Sequence, residues 1–465
     1  MYGLVFNLPN DSRNNSSIYN HVHDTSSLPP QWTQCIEKLT NWFKHDDFYG
    51  LALKTKFIRR NPRKISPLLF LQSAILLVSQ SSVSLSKWAM MLGILGHGSL
   101  AKQSLWQRIN QGAVDFIQHV LAMVLNKKSL ENFPHTPGVL NNFKRVLVQD
   151  STTIKLNEKL AAVFPGSKNI HGFKNGLLKI QATHDLLEQR FIYFGLSGFN
   201  RNDQTAAQDI FKILRRGDLV LRDLGYHVIK TFERIAEAGG FFLSRMRLDT
   251  TLSDPSTAMK LDLLKELQRH GNLDRQVLLA KSKLPVRLVA IKLPEAVAAE
   301  RRRKAKCNRD KRCKPNPTRL KLLGWALYVT NVSKDTCTPC QVAEIYGLRW
   351  RIESIFKVWK SHFQMTDVPK GSAEQLRIVV CARLIFITLL AELGRQGWLN
   401  SYNENKSNHC SIFKVASLLR DYFLALCIDA WNINVSKALL IQLHYHCRYE
   451  KRSRQNYVQK LLSLS

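Results

Sequence analysis

Two short apolar runs, each closing on an aspartate, constrain this chain more than any other feature. They are Arg145-Val146-Leu147-Val148-Gln149-Asp150 and Asp218-Leu219-Val220-Leu221-Arg222-Asp223. Each is too short for a helix and reads as a strand buried on both faces. A carboxylate at the C-terminal end of a core strand lies at a sheet edge, where ligands usually bind. One such aspartate often only caps the following turn. Two in one sheet repel, and each raises the other's pKa. A shared divalent cation removes that penalty, and oxygen-only donors favour Mg²⁺ or Mn²⁺ over zinc.

The balance of charge points to the partner. The 465 residues carry 68 Lys and Arg against 35 Asp and Glu, a formal charge of +33. Such a chain repels itself unless it meets a polyanion, either nucleic acid or an anionic membrane. Membrane is the poorer choice. The most apolar run, Pro67 to Val78, falls short of the roughly 20 residues a span needs. Ile378 to Leu393 is longer but is interrupted by Arg383 and Glu392. The polar start shows no signal peptide, so a reducing cytoplasm is expected. Nine cysteines form no disulfide framework. Cys307 and Cys313, then Cys337 and Cys340, could be two zinc-binding pairs, but the first is spaced too widely for the usual knuckle. Scattered reduced thiols are the reading.

Along the chain, residues 1–30 read as a flexible lead. Residues 31–135 read as a helical N-terminal DNA-binding domain, with Leu68, Leu71, Ile75 and Val78 at helical spacing. Two helices there, around Ser84–Met90 and Ser104–Ile109, flank a turn at Gly96 and Gly98 and carry Lys102, Gln107 and Arg108, as a DNA-reading pair does. Residues 136–246 alternate strands and helices in the manner of a mixed sheet flanked by helices. Strands are expected at Leu177–Thr183 and Arg190–Leu196, joined by a hairpin, and at Phe241–Met246. Residues 247–338 read as a β-rich insertion with strands at Val277–Ala280, Val286–Leu293 and Leu323–Asn331. Residues 339–400 return to the core, and 401–465 form a helical, basic C-terminal region. One long helix is expected from about Thr338 to His362.

That helix carries the third carboxylate. At about 100° per residue, Tyr346, Arg349, Glu353 and Lys360 fall on one stripe about 60° wide, with Lys357 beside it. Ile352, Phe356 and Trp359 occupy the adjoining arc and can bury against the sheet. Glu353 is thus framed by cations and a phenol, which keep it ionised and attract phosphates.

The spacing Tyr, two residues, Arg, three residues, Glu, six residues, Lys resembles the signature of the DDE insertion-sequence transposases, in the insertion-sequence-four branch. Asp150-Ser151-Thr152 resembles the family's first-Asp motif, and Asp223-Leu224-Gly225-Tyr226 its second. Gln149 departs from the pattern where an apolar residue is commoner, and Leu224 where a basic one is frequent. The resemblance implies an α/β mixed-sheet, ribonuclease-H-like core, interrupted by the β-rich insertion and flanked by helical regions. It implies that Asp150, Asp223 and Glu353 hold two Mg²⁺ or Mn²⁺ ions, which about 4 Å apart can clamp a phosphodiester. Tyr346, Arg349, Lys357 and Lys360 are then DNA contacts near the cut.

The expected activity is cut-and-paste transposition in a bacterial cytoplasm, on the nucleoid when bound. Terminal inverted repeats are cut, and their 3′-hydroxyl ends are joined to target DNA by a homodimer in a synaptic complex. A metal-dependent nuclease of the same fold and an inactive DNA-binding derivative are the alternatives. Trp325 is expected to stack on a displaced base, although Leu327 and Val329 on the same strand face also suit a core position. The basic stretch beginning Arg301, Arg302, Arg303 and Lys304 is expected to meet phosphates.

Overall fold

A computed structural model describes residues 45–403, apart from 61, 63–64, 81–82, 96–99, 128–137, 169–173, 280–281 and 308–314, together with residues 411, 413–418, 421 and 457–464. The expected flexible lead, the Gly96 turn, Cys313, the middle of the basic stretch and most of residues 401–465 lie outside the described residues.

Ten strands form one sheet: β1 Arg145–Leu156, β2 Pro165–Lys168, β3 Lys174–Asp185, β4 Arg190–Gly198, β5 Asp218–Arg222, β6 Phe241–Arg245, β7 Leu252–Ser253, β8 Leu273–Leu279, β9 Leu284–Lys292 and β10 Trp325–Thr330. The order is β2-β3-β1-β5-β6-β10-β9-β8-β7, with β4 also on β3. β1, β5 and β6 are parallel neighbours. The flanking pairs are antiparallel. Period-2 alternation sends neighbouring residues to opposite faces. Val146, Val148, Leu219, Leu221 and Leu243 enter one core. Leu147, Val220 and Phe242 enter the other.

The segment 247–338 is expected to be β-rich, but its described residues carry the helices Leu263–His270, Glu295–Lys306 and Pro317–Leu322 beside β7 to β10, and it does not make a sheet of its own. Its strand β10 pairs with β6, so the insertion extends the core sheet edge-on. The described residues between 45 and 127 likewise share their core. Apolar side chains of the helices Pro67–Ser79 and Gln111–Asn126 pack in one cluster with the long helix Ala373–Asn403 and the first sheet face. Local chemistry sets their starts. Ser66 accepts from the Leu69 N–H, with Pro67 in the first turn, and Asn110 accepts from Ala113. Among the described residues, no helix is long and apolar enough to cross a membrane.

Candidate active site

Asp150 does not end its strand. β1 runs on to Leu156 alongside β3, while its pairing with β5 stops at Gln149 and Arg222. Asp150 therefore stands where its parallel neighbour gives out, and Asp223 follows directly after that neighbour. The same register explains the departure at Gln149. Its amide oxygen accepts from buried Arg222 at 2.9 Å, and its nitrogen donates to the Ala206 carbonyl. Arg222 also donates to Ala207. A polar pair thus fills the second face beneath the two aspartates, where an unpartnered glutamine would be costly. Burial pushes the Arg222 guanidinium down to about 9.

The expected long helix is two helices. Thr338 caps the first, Pro339–Gly347, in a reciprocal box with Gln341. The second is Trp350–Ser361. Between them the chain tightens into i→i−3 bonds, Leu348 to Ile345 and Arg349 to Tyr346, both 3.1 Å. The overwinding rotates the two halves relative to a uniform helix. Tyr346 consequently turns to Asp223, its hydroxyl donating to Oδ1 at 3.4 Å. Arg349, almost fully buried, reaches Asp150 at 3.3 Å and Glu353 at 2.7 Å.

All three expected carboxylates, from positions 150, 223 and 353, are thus tied into one group. Burial, chiefly, pushes the Asp150 carboxyl up to about 6, and Asp223 and Glu353 add to this. The Ser151 N–H and Arg349 oppose it. Burial works against the charge on Arg349, but Tyr346, Asp223, Glu353 and Asp150 outweigh it and raise its pKa. Burial lifts the Tyr346 phenol well above its usual range. Among the described residues, no three His, Cys, Asp or Glu side chains converge closely enough to cage an ion as they stand. The Arg349 guanidinium sits between two of the acids instead.

Other expected site residues fall in different places. Lys357 and Lys360 are exposed on the Glu353 helix. Trp325 is not brought to the carboxylates. It packs against the second core, and its indole N–H donates to the Gly271 carbonyl at 2.6 Å. Of the basic stretch, Arg302 pairs with Glu295, and Arg303 and Lys304 pair with Glu300. Cys337 is buried, whereas Cys307 and Cys340 are exposed.

Two features escaped the sequence reading. Trp350, beside Arg349, is 59% exposed, and its ring lies 5.8 Å from the Arg349 guanidinium carbon. Asp203 joins the first-Asp and second-Asp motifs. It accepts from Ser151 Oγ at 2.9 Å and Gln181 at 3.2 Å and pairs with Lys179 at 2.8 Å. Burial works to raise its pKa, but those three partners outweigh it and hold Asp203 low. A Cβ on Gly225 would come 3.3 Å from Asp203 Oδ2, which accounts for glycine two residues after Asp223.

The Transposase DDE domain family matches residues 141–389, more than half of the chain and the whole of this site. The transposase for insertion sequence element IS231F of Bacillus thuringiensis subsp. israelensis is 27% identical over 460 residues, covering 93% of this chain and 95% of the relative. That for IS1151 of Clostridium perfringens is 27% identical over 445 residues, covering 89% and 92%. Among solved structures, a piggyBac transposase synaptic complex with hairpin DNA matches at a TM-score of 0.45 and 10% identity, over 91% of this chain and 87% of that one. The chain belongs to the DDE transposase family and is a DNA transposase of the insertion-sequence kind.

Proposed function

We propose that this transposase, of the insertion-sequence-four type with a ribonuclease-H-like core, cuts its own inverted-repeat ends and joins them to target DNA. The observation that supports this best is the linkage of Asp150, Asp223 and Glu353 through Arg349 and Tyr346, from segments up to 203 residues apart in sequence order. The donor set fits Mg²⁺ or Mn²⁺, since all three ligands are carboxylates. Burial chiefly raises the Asp150 carboxyl, with Asp223 and Glu353 adding to it, and a bound cation would favour its ionised form. Two bound ions would supply Lewis acidity and lower the pKa of the attacking water or hydroxyl.

The chain's own residues bind and orient. Arg349 sets Glu353 against Asp150, and Tyr346 fixes Asp223 by its hydroxyl. Exposed Lys357 and Lys360 offer charge to the phosphates flanking the cut. In hydrolysis, a water oxygen bonds to phosphorus as the bond to the 3′-oxygen breaks, and that oxygen takes up a proton. In joining, the freed 3′-hydroxyl loses its proton and bonds to a target phosphorus as that phosphorus's bond to the target strand's 3′-oxygen breaks, and the released oxygen takes up a proton. Two ends must meet, so a homodimer bridging them in the bacterial cytoplasm is the expected working unit.

The test is Mg²⁺-dependent cleavage of the element's ends, followed by joining of a pre-cut 3′-hydroxyl end to plasmid. Binding that survives while both reactions vanish in Asp150→Ala, Asp223→Ala and Glu353→Ala is the expected result. Cleavage without joining would make the protein a nuclease. Normal cleavage by all three variants would overturn the site.

A further inference from the structure

The parallel pairing of β1, β5 and β6 gives out along one row at this site. Gln149 is in register with Arg222, and Arg222 with Ser244. The next residues are Asp150, Asp223 and Arg245, so the row reads carboxylate, carboxylate, guanidinium. β10 places Tyr328 directly opposite Arg245. The Arg245 guanidinium carbon lies 6.0 Å from the ring centre of Tyr346, the residue whose hydroxyl reaches Asp223. The rings of Tyr328 and Tyr346 are 5.1 Å apart.

A second guanidinium arrives from the insertion. Arg301, half-buried on the helix Glu295–Lys306, donates from Nη1 to the Trp325 carbonyl at 3.3 Å. Burial and then the charge of Arg245 push its pKa down, and the Tyr328 phenol feels both cations. Its helix neighbours Arg302, Arg303 and Lys304 are matched with glutamates. Among the described residues, Arg245 and Arg301 form no ion pair with any carboxylate. Two like charges held half-buried along one strand, β10, are unfavourable unless an anion lies near them.

We propose that Arg245 and Arg301 form a subsite for one backbone phosphate of the DNA being cut, with Tyr328 and Tyr346 as its wall. The inference rests on the transposase reading of the neighbouring carboxylates. A phosphate is the anion that this position selects, because a polyphosphate strand crossing Asp150 and Asp223 continues along the row to Arg245. Guanidinium forks match phosphate oxygens in pairs. The subsite spans core and insertion, so a bound strand ties the two together.

The experiment uses the full chain and a duplex with the element's terminal sequence, bearing one neutral methylphosphonate at successive positions around the cut. Wild type is expected to lose about tenfold in affinity at one position, the scale of a charge-assisted contact. Arg245→Ala and Arg301→Ala should each bind the unmodified duplex more weakly and lose nothing further at that position. The slope of log affinity against log salt should fall by about one in each. Arg301→Ala, on a half-exposed helix, carries the test if Arg245→Ala does not fold. Variants that keep the wild-type methylphosphonate profile overturn the subsite while leaving cleavage and the transposase reading intact. A wild type that neither binds nor cuts the ends overturns both.

Discussion

The insertion and the carboxylate end of the core treat charge in different ways. In the insertion, several cations are matched locally with acids. Buried Arg287 makes a forked pair with Asp274 and donates to the Ser333 carbonyl, and Arg275 pairs with Asp254 and Glu266. At the carboxylate end, Asp150, Asp223 and Glu353 share one buried arginine and a phenol, and Arg245 has no acid partner among the described residues. Ion pairs hold shape in the rest of the core too, where Arg145 pairs with Asp218 and Lys179 with Asp203. The carboxylate cluster instead sets three acids against one arginine, as a site that binds cations requires.

The largest effect expected from that contrast is on chemistry. Replacing any of Asp150, Asp223 or Glu353 with alanine should lower cleavage by on the order of 10³-fold or more, as when a group acting in the transition state is lost. Circular dichroism should show the variants folded. In the insertion the cost falls on stability instead. Arg287→Met removes the forked partner of Asp274, which keeps only the longer pair with Lys334 at 3.9 Å, and should cost about 2 kcal/mol in a denaturant titration.

The third prediction sets activity against stability at one residue. The Asp150 carboxyl, raised to about 6, opposes ionisation in the folded state. Its contribution to stability is therefore present below about pH 4, where folded and unfolded forms are both protonated, and is lost as pH rises through 6. Asp150→Asn should then stabilise the metal-free protein at pH 8 by about 2 kcal/mol, while abolishing cleavage. In the metal-free protein, that stability difference between Asp150→Asn and wild type should shrink as pH drops through 6 towards 4. A flat profile between pH 5 and 7 would count against the raised carboxyl.

The smallest effects separate the two tryptophans. Trp325→Ala removes a half-buried ring and its bond to Gly271 and should cost about 2 kcal/mol of stability. Trp350→Ala should change stability by no more than about 0.5 kcal/mol. If loss of end binding follows Trp350 rather than Trp325, the base-stacking surface lies on the carboxylate face. The reverse result would restore Trp325 to that role.

Much of this was readable in advance because two periodicities carry it. Aliphatic runs ending in Asp150 and Asp223 mark buried strands whatever their neighbours, and β1 and β5 were found where the runs lie. Tyr346, Arg349, Glu353 and Lys360 share a stripe on any right-handed helix. What escaped depends on pairing between distant segments. Asp150 lies mid-strand because β3 continues to pair with β1 after β5 stops. The insertion belongs to the core sheet because β10 finds the free edge of β6. Trp325 looked like a site residue until its strand face was known to point into the second core.

By itself, the sequence determined the residue types of the site, their order and the polyanion they serve, since backbone periodicity and net charge are local or additive properties. Only the tertiary structure decided which atoms meet. It turned one uniform helix into two, so that Tyr346 faces Asp223 while Arg349 binds Asp150 and Glu353. It also set Arg245 third in a row with two aspartates, a neighbourhood fixed by strand register, which no single segment encodes.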